Sequence, residues 1–260
     1  MAGEIRVEKE GALGWVIIDH EVRRNAITAA MWQAIPTAIA ELAGDDAIRV
    51  VVLRGAGETA FVSGADISEF GELRTGDAAK AYDVANSAAF TAIVECPKPV
   101  IAMIHGFCVG GGAALSLKCD LRYTADDGVF AIPAARLGLG YSAALQESLV
   151  ATVGLASAKE IFFTARRFKA ADALRLGMVN EVLPKAELEA YVRRVAEGIA
   201  ANAPLTLRAG KLMQNQLAGP EGKRDRAAWS AATDACYASE DYQEGVRAFL
   251  AKRPPVFRGC

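Results

Sequence analysis

The first half of the chain alternates between short apolar runs and longer stretches with helical spacing. Glu4–Glu8 and Trp15–Asp19 read as strands, and Arg49–Arg54 (RVVVLR) reads as a buried one, β-branched at nearly every position. Between them, Thr28 is placed to cap a helix whose apolar residues Met31, Ile35, Ala38, Ile39 and Leu42 recur at helical spacing. Pro36 within it predicts a kink or a break. A polar, Ala-rich helix is predicted from about Asp77 to Val94, then the turn Cys96-Pro97-Lys98-Pro99 and the apolar strand Val100–Ile104. A Gly-rich turn opens another helix near Gly111–Lys118, and strand-like runs recur at Leu121–Thr124 and Val129–Ile132. Strands separated by helices predict a mainly parallel sheet with helical cover. Beyond about Ser142 the pattern is helical, apart from a strand candidate at Met178–Leu183; Tyr242, Val246, Phe249 and Leu250 follow the cap candidate Ser239. The expectation is an α/β core over residues 1–200 and a helical C-terminal region over 201–260, with no Ser/Gly/Pro linker to make the latter an independent domain.

A chain of 260 residues, 52% of them hydrophobic, can bury roughly three quarters of its unfolded surface and needs no disulfide or metal staple. Its 29 Lys+Arg against 31 Asp+Glu leave a net charge of −2, without a block of like charges. General attraction to nucleic acid or to an anionic membrane is therefore not expected, and an anionic ligand must be held locally. The longest strongly apolar stretch, Pro99 to Ile104, falls far short of the roughly 20 residues that span a bilayer, and MAGEIRVEKE lacks a signal-peptide core; a cytoplasmic location is expected. Five cysteines without a CxxC pair read as free thiols. Two distant histidines, His20 and His105, argue against a metal site and against a Ser-His-Asp triad.

Two segments carry candidate chemistry. Phe61-Val-Ser-Gly-Ala-Asp-Ile-Ser-Glu-Phe70 follows a buried strand; Ser63-Gly64 supplies a tight turn, and Asp66 is placed to accept hydrogen bonds from N–H groups opening the next helix. Ile104-His-Gly-Phe-Cys-Val-Gly-Gly-Gly-Ala-Ala114 puts three glycines at a helix start, where a ligand atom can come close to unpaired N–H donors. A capped turn and close helix packing are the purely structural alternatives. Neither segment matches a dinucleotide or P-loop pattern. Two strand-to-helix turns, each with a free N–H, suit convergence on one carbonyl oxygen and stabilisation of an enolate.

These residues resemble the crotonase (enoyl-CoA hydratase/isomerase) superfamily, through FVSGADI at 61–67, PKPVIAMIHGFCVGGG at 97–112, Leu137-Gly138 and SEDYQEGVRAFLAKRPPVF at 239–257. The resemblance implies a spiral of ββα turns with a helical C-terminal trimerisation region, assembled as a homotrimer or dimer of trimers. It also implies an acyl-CoA substrate with no cofactor beyond the coenzyme A of the thioester itself. By motif position the oxyanion-hole N–H groups fall on Ala65 and Gly111. The loop of Arg24, Asn25 and Ala26, with Ser63, Asp66 and Ile67, would wrap the CoA moiety, and Phe249 and Lys252 match positions that reach its adenine and phosphates.

The chain departs from the family's hydratases at both catalytic glutamates. One position is Ala114, and the other, in Pro133-Ala134-Ala135-Arg136-Leu137-Gly138, is Ala134. A methyl group cannot deprotonate water, and general acid–base help of that kind is worth about 10²–10⁴-fold per group. Hydration and isomerisation are disfavoured, whereas decarboxylation of a malonyl-type thioester generates the enolate directly. Arg136-Leu-Gly-Leu-Gly-Tyr141 is similar to the LG-x-x-Y stretch of the methylmalonyl-CoA decarboxylases, which implies an active-site role for Tyr141. Those enzymes resemble GHD where this chain has Gly64-Ala65-Asp66. Arg136 is a candidate for an acidic acyl group. Ser142 stands near the aspartate nucleophile of the dehalogenases but lacks a base. Glu69, Glu72 and Glu147 lie near these segments and read as solvated, and His105 reads as structural. Enoyl-CoA hydration is one alternative, and a non-catalytic CoA-binding protein is another.

Overall fold

The computed structural model describes residues 3–69, 71 and 76–260. Strands β1 (Glu4–Glu10) and β2 (Leu13–Asp19) form an antiparallel hairpin, and helix α1 (Ala29–Gly44) follows. Thr28 Oγ1 caps α1 by accepting from Met31 N at 3.3 Å. The helix runs on through Pro36 instead of breaking there. Its buried stripe of Met31, Trp32, Ile35, Ala38, Ile39 and Leu42 outweighs the one hydrogen bond that proline removes.

Three strand–strand–helix turns come next. The first is β3 (Val50–Gly55), β4 (Ala60–Val62) and α2 (Gly76–Glu95); the second is β5 (Val100–Ile104), β6 (Phe107–Val109) and α3 (Gly111–Ser116); the third is β7 (Leu121–Ala125), β8 (Val129–Ala131) and α4 (Ala134–Leu137). Each turn places its first strand in a six-stranded sheet, ordered β1-β2-β3-β5-β7-β10, and its second in a four-stranded sheet, ordered β4-β6-β8-β9. Pairing from β2 through β3, β5 and β7 to β10 is parallel, as is β4 to β6 to β8; the β1–β2 and β8–β9 pairs are antiparallel. This is the expected α/β spiral of ββα turns. The three-residue strands β4, β6 and β8 add a second sheet that apolar periodicity predicts only in part.

The chain continues through α5 (Ala143–Thr164), β9 (Phe168–Lys169), α6 (Ala170–Arg175) and β10 (Glu181–Leu183), the last shorter than the candidate at 178–183. Helices α7 (Leu188–Ala200), α8 (Pro204–Ala218), α9 (Arg226–Ala238) and α10 (Glu240–Leu250) complete it, and Ser239 Oγ caps α10 by accepting from Tyr242 N at 3.0 Å. One core fills the space between the two sheets, α1, α2 and α5; a second packs Leu188, Val192 and Ala196 of α7 on the outer face of the larger sheet. All five cysteines are free thiols, three of them buried. Among the described residues no helix is long and apolar enough to cross a membrane.

Candidate active site

Both glycine turns follow strands of the smaller sheet, and local bonding fixes each. Beyond β4, Ser63 N donates to Arg24 O at 3.1 Å and Ser63 Oγ to Arg23 O at 3.2 Å. Ile27 N donates to Gly64 O and Asp66 N to Ile27 O, both at 2.9 Å. These two bonds straddle Ala65, so a parallel bridge holds Ala65 with its own N–H turned away from Ile27. The 24–26 loop is held by buried Asn25, in the left-handed region at φ 56°. Its side chain accepts from His20 N and donates to Ala56 O and Ala60 O at 2.9 and 2.7 Å.

In the second turn Gly110 adopts φ 54° and donates its N–H to Ala131 O at 2.8 Å. Helix α3 then packs so closely on β4 that a Cβ on Gly112 would lie 2.3 Å from Val62 O. That approach brings the turns together: a Cβ on Gly111 would sit 3.7 Å from the Ala65 nitrogen. Neither the Ala65 nor the Gly111 N–H is committed to a hydrogen bond with the described residues. Two backbone donors, one at a helix start, are thus free at one place.

They open on a cavity of about 580 Å³. Ser63, Ala65 and Ile67 line it from the first turn and Gly111 and Ala114 from the second; Ala134, Leu139, Tyr141, Ser142 and Leu145 line it from the α4–α5 region. Trp32 and the α2 residues Asp83, Asn86, Ser87 and Phe90 close the far side. Ala114 and Ala134 are both buried. Among the described lining residues there is no Lys, Arg, His or Glu, and the titratable groups are Asp83 and Tyr141. The Tyr141 hydroxyl donates to Gly110 O at 3.3 Å, and its ring meets Phe162 edge-on at 5.6 Å. Burial pushes that hydroxyl up to about 12, so it stays a donor across the neutral range.

The structure thus brings Ala65, Gly111, Tyr141, Ser63, Ile67, Ala114 and Ala134 around one cavity. Arg24, Ala26, Asp66 and Arg136 do not line it. Arg24 lies over the Phe107 ring, 5.0 Å from its centroid. Asp66 is buried and accepts from Ser68 N at 3.0 Å and Ser68 Oγ at 2.7 Å. Burial alone would raise its carboxyl; those bonds and Arg23 outweigh it and hold it below its ordinary value. Arg136 is exposed. Phe249 and Lys252 lie in the C-terminal helical region, where Phe249 borders a different groove, between α8, α9 and α10.

The neighbouring carboxylates have other work or other places. Glu69 is not merely solvated: its Oε2 accepts from Ala29 N at 2.8 Å and helps start α1. Glu147 is exposed and outside the lining, and Glu72 lies outside the described residues. His105 is buried, which lowers its pKa, and its carbonyl accepts from Phe61 N. The sequence motifs do not mark the α2 wall; the signal for it is the spacing of Ala79, Asp83, Asn86, Ser87 and Phe90 along one helix face.

A spiral of ββα turns whose glycine turns meet over an apolar cavity defines an α/β enzyme of the crotonase fold. The chain belongs to the enoyl-CoA hydratase/isomerase family, whose model matches residues 8–260. It is 33% identical to the short-chain-enoyl-CoA hydratase of Clostridium acetobutylicum, over 95% of this chain and 94% of that protein. It is also 33% identical to the crotonyl-CoA hydratase of Syntrophomonas wolfei, over 97% of each. Among solved structures, an enoyl-CoA hydratase/carnithine racemase from Magnetospirillum magneticum superposes with a TM-score of 0.92 at 37% identity, covering 98% of this chain and 96% of that one.

Proposed function

We propose that this acyl-CoA enzyme seats its thioester carbonyl on the N–H groups of Ala65 and Gly111 and works through an enolate without a carboxylate base, as a decarboxylase of a malonyl-type thioester. The observation that carries this reading is the pair of methyl groups, Ala114 and Ala134, buried in the wall beside the two free amides. When the bond between the α-carbon and the carboxylate breaks, CO₂ leaves and the electron pair moves to the thioester oxygen, where two preorganised donors stabilise it. The apolar wall replaces water around the departing carboxylate. A proton then returns to the α-carbon from the Tyr141 hydroxyl, kept protonated by burial, once it turns away from Gly110 O, and water reprotonates the phenolate.

Arg24 and Ala26, Ser63, Asp66 and Ile67 belong in this reading to the CoA approach, and Phe249 and Lys252 to its far end. The exposed apolar side chains Tyr237, Phe249 and Leu250 support self-association of the C-terminal helices as a trimer or a dimer of trimers. A cytoplasmic acyl-CoA pool is the expected source of substrate.

Enoyl-CoA hydration is the second reading, favoured by the names of the relatives at 33% identity. Incubation with methylmalonyl-CoA and with crotonyl-CoA separates the two. CO₂ release from the first with slow or absent hydration of the second is expected; fast hydration of crotonyl-CoA refutes the decarboxylase reading.

A further inference from the structure

The cavity has one wall unlike the rest. Ala114, Ala134, Leu139 and Leu145 are apolar, whereas α2 presents Asp83, Asn86 and Ser87. A plain hydrocarbon acyl chain offers no acceptor for an amide N–H there, and a polar group left unpaired once a ligand excludes water is costly. Asn86 lines the cavity with its Oδ1 buried, and that oxygen has no hydrogen-bond partner among the described residues. With the carbonyl end turned into the protein, the two N–H donors of Nδ2 are the end left for the cavity. Nδ2 makes no hydrogen bond of its own among the described residues, whereas Tyr141 and Ser63 already donate to Gly110 O and Arg23 O.

We infer that Asn86 is a specificity-determining residue that donates to a carboxylate on the substrate's acyl group, so that the enzyme selects carboxyacyl thioesters over alkyl thioesters of equal length. The inference rests on the seating of the thioester at Ala65 and Gly111. A neutral amide suits this task because no Lys or Arg lines the cavity among the described residues. It orients the anion without neutralising it, which leaves the charge destabilised and ready to depart. Asp83 stands on the same wall, but it is exposed and engaged in an interaction of its own, so solvent screens its repulsion.

The test is calorimetric binding of succinyl-CoA and butyryl-CoA to the whole enzyme and to its Asn86→Leu and Asn86→Asp variants, with circular dichroism confirming the fold of each. Wild type should bind succinyl-CoA more tightly than butyryl-CoA. Asn86→Leu should lose about tenfold to a hundredfold for succinyl-CoA and little for butyryl-CoA. Asn86→Asp, a repulsive acceptor, should lose more for succinyl-CoA. Equal wild-type affinities for the two thioesters, or an Asn86→Leu variant unchanged towards both, would overturn the inference. Retained or tighter succinyl-CoA binding by Asn86→Asp would also overturn it, since the amide would then be accepting from the ligand. Because no turnover is needed, selective binding without CO₂ release from malonyl-type thioesters would refute the decarboxylase reading and leave this one standing.

Discussion

Replacing Gly111 by proline removes one of the two amides without dismantling the helix it begins. Gly111 is the first residue of α3, where an N–H has no intrahelical acceptor and proline is well tolerated. The deleted donor makes no hydrogen bond with the described residues of the free protein, so its loss leaves no partner unpaired there. The added Cβ would lie 3.1 Å from Trp32 Cζ2, a tight approach that Trp32 must relieve by a small shift. Gly111→Ala introduces that same contact while keeping the N–H, and so isolates the steric part. Loss of one oxyanion donor costs about 2.7–4 kcal/mol, or 10²–10³ in kcat. The kcat of Gly111→Pro for the turned-over thioester should fall below that of Gly111→Ala by this factor, while the two melting temperatures stay close. Were the proline variant to remain within about threefold of the alanine variant, far inside the range for a lost donor, the Gly111 amide would not be holding the developing charge.

Ala114→Glu combined with Ala134→Glu should raise hydration of crotonyl-CoA by about 10²-fold or more while depressing CO₂ release, because it restores general acid–base groups and adds repulsive charge; both rates are read from product formation by chromatography. Asn25→Ala should destabilise the fold by about 3 kcal/mol in denaturant melts, since it removes three buried hydrogen bonds, one from His20 N and two that tie the 24–26 loop to Ala56 O and Ala60 O. Tyr141, with its folded value pushed up to about 12, contributes stability that is present below its unfolded value of about 10 and is lost as pH rises through the folded one. Tyr141→Phe should therefore show a smaller fall in denaturation midpoint between about pH 9 and pH 11. On the proposed self-association of the C-terminal helices, Leu250→Asp should lower the mass seen by light scattering towards that of one chain, because Leu250 belongs to the exposed apolar face of α10.

The parts of the fold legible in the sequence are those whose signal is local. Val50–Gly55 and Val100–Ile104 are buried on both faces and read as continuous apolar runs, and α1 shows its stripe and its Thr28 cap in plain order. Strands β4 and β6, three residues each, are too short for alternation to register; pairing with each other holds them in place, a long-range fact. Pro36 misleads as to a break for the same reason, because the packing that keeps α1 continuous comes from elements distant in the chain. Glu69 reads as solvated from its neighbours, yet it meets the start of a helix forty positions earlier.

The site divides along the same line. Glycine turns are conspicuous because only that residue gives the backbone of Gly110 its φ and lets Gly112 approach Val62 O, and the two alanines stand out by sitting in motif positions where carboxylates are expected. The α2 wall has no motif, since its residues act by facing a cavity that exists only once α2 lies across α1 and the two turns. This separation has a chemical consequence. On the proposed reading, the amides that receive the thioester oxygen belong to the backbone and survive side-chain changes other than to proline, whereas the groups that direct which bond breaks sit on replaceable side chains at 114, 134 and along α2. Exchanging a carboxylate for a methyl at the first two removes the base without disturbing the hole, and a donor on the third wall can then direct a substrate that carries its own leaving group. If the proposed seating holds, changing the α2 wall should change which thioesters bind before it changes how their oxygen is held.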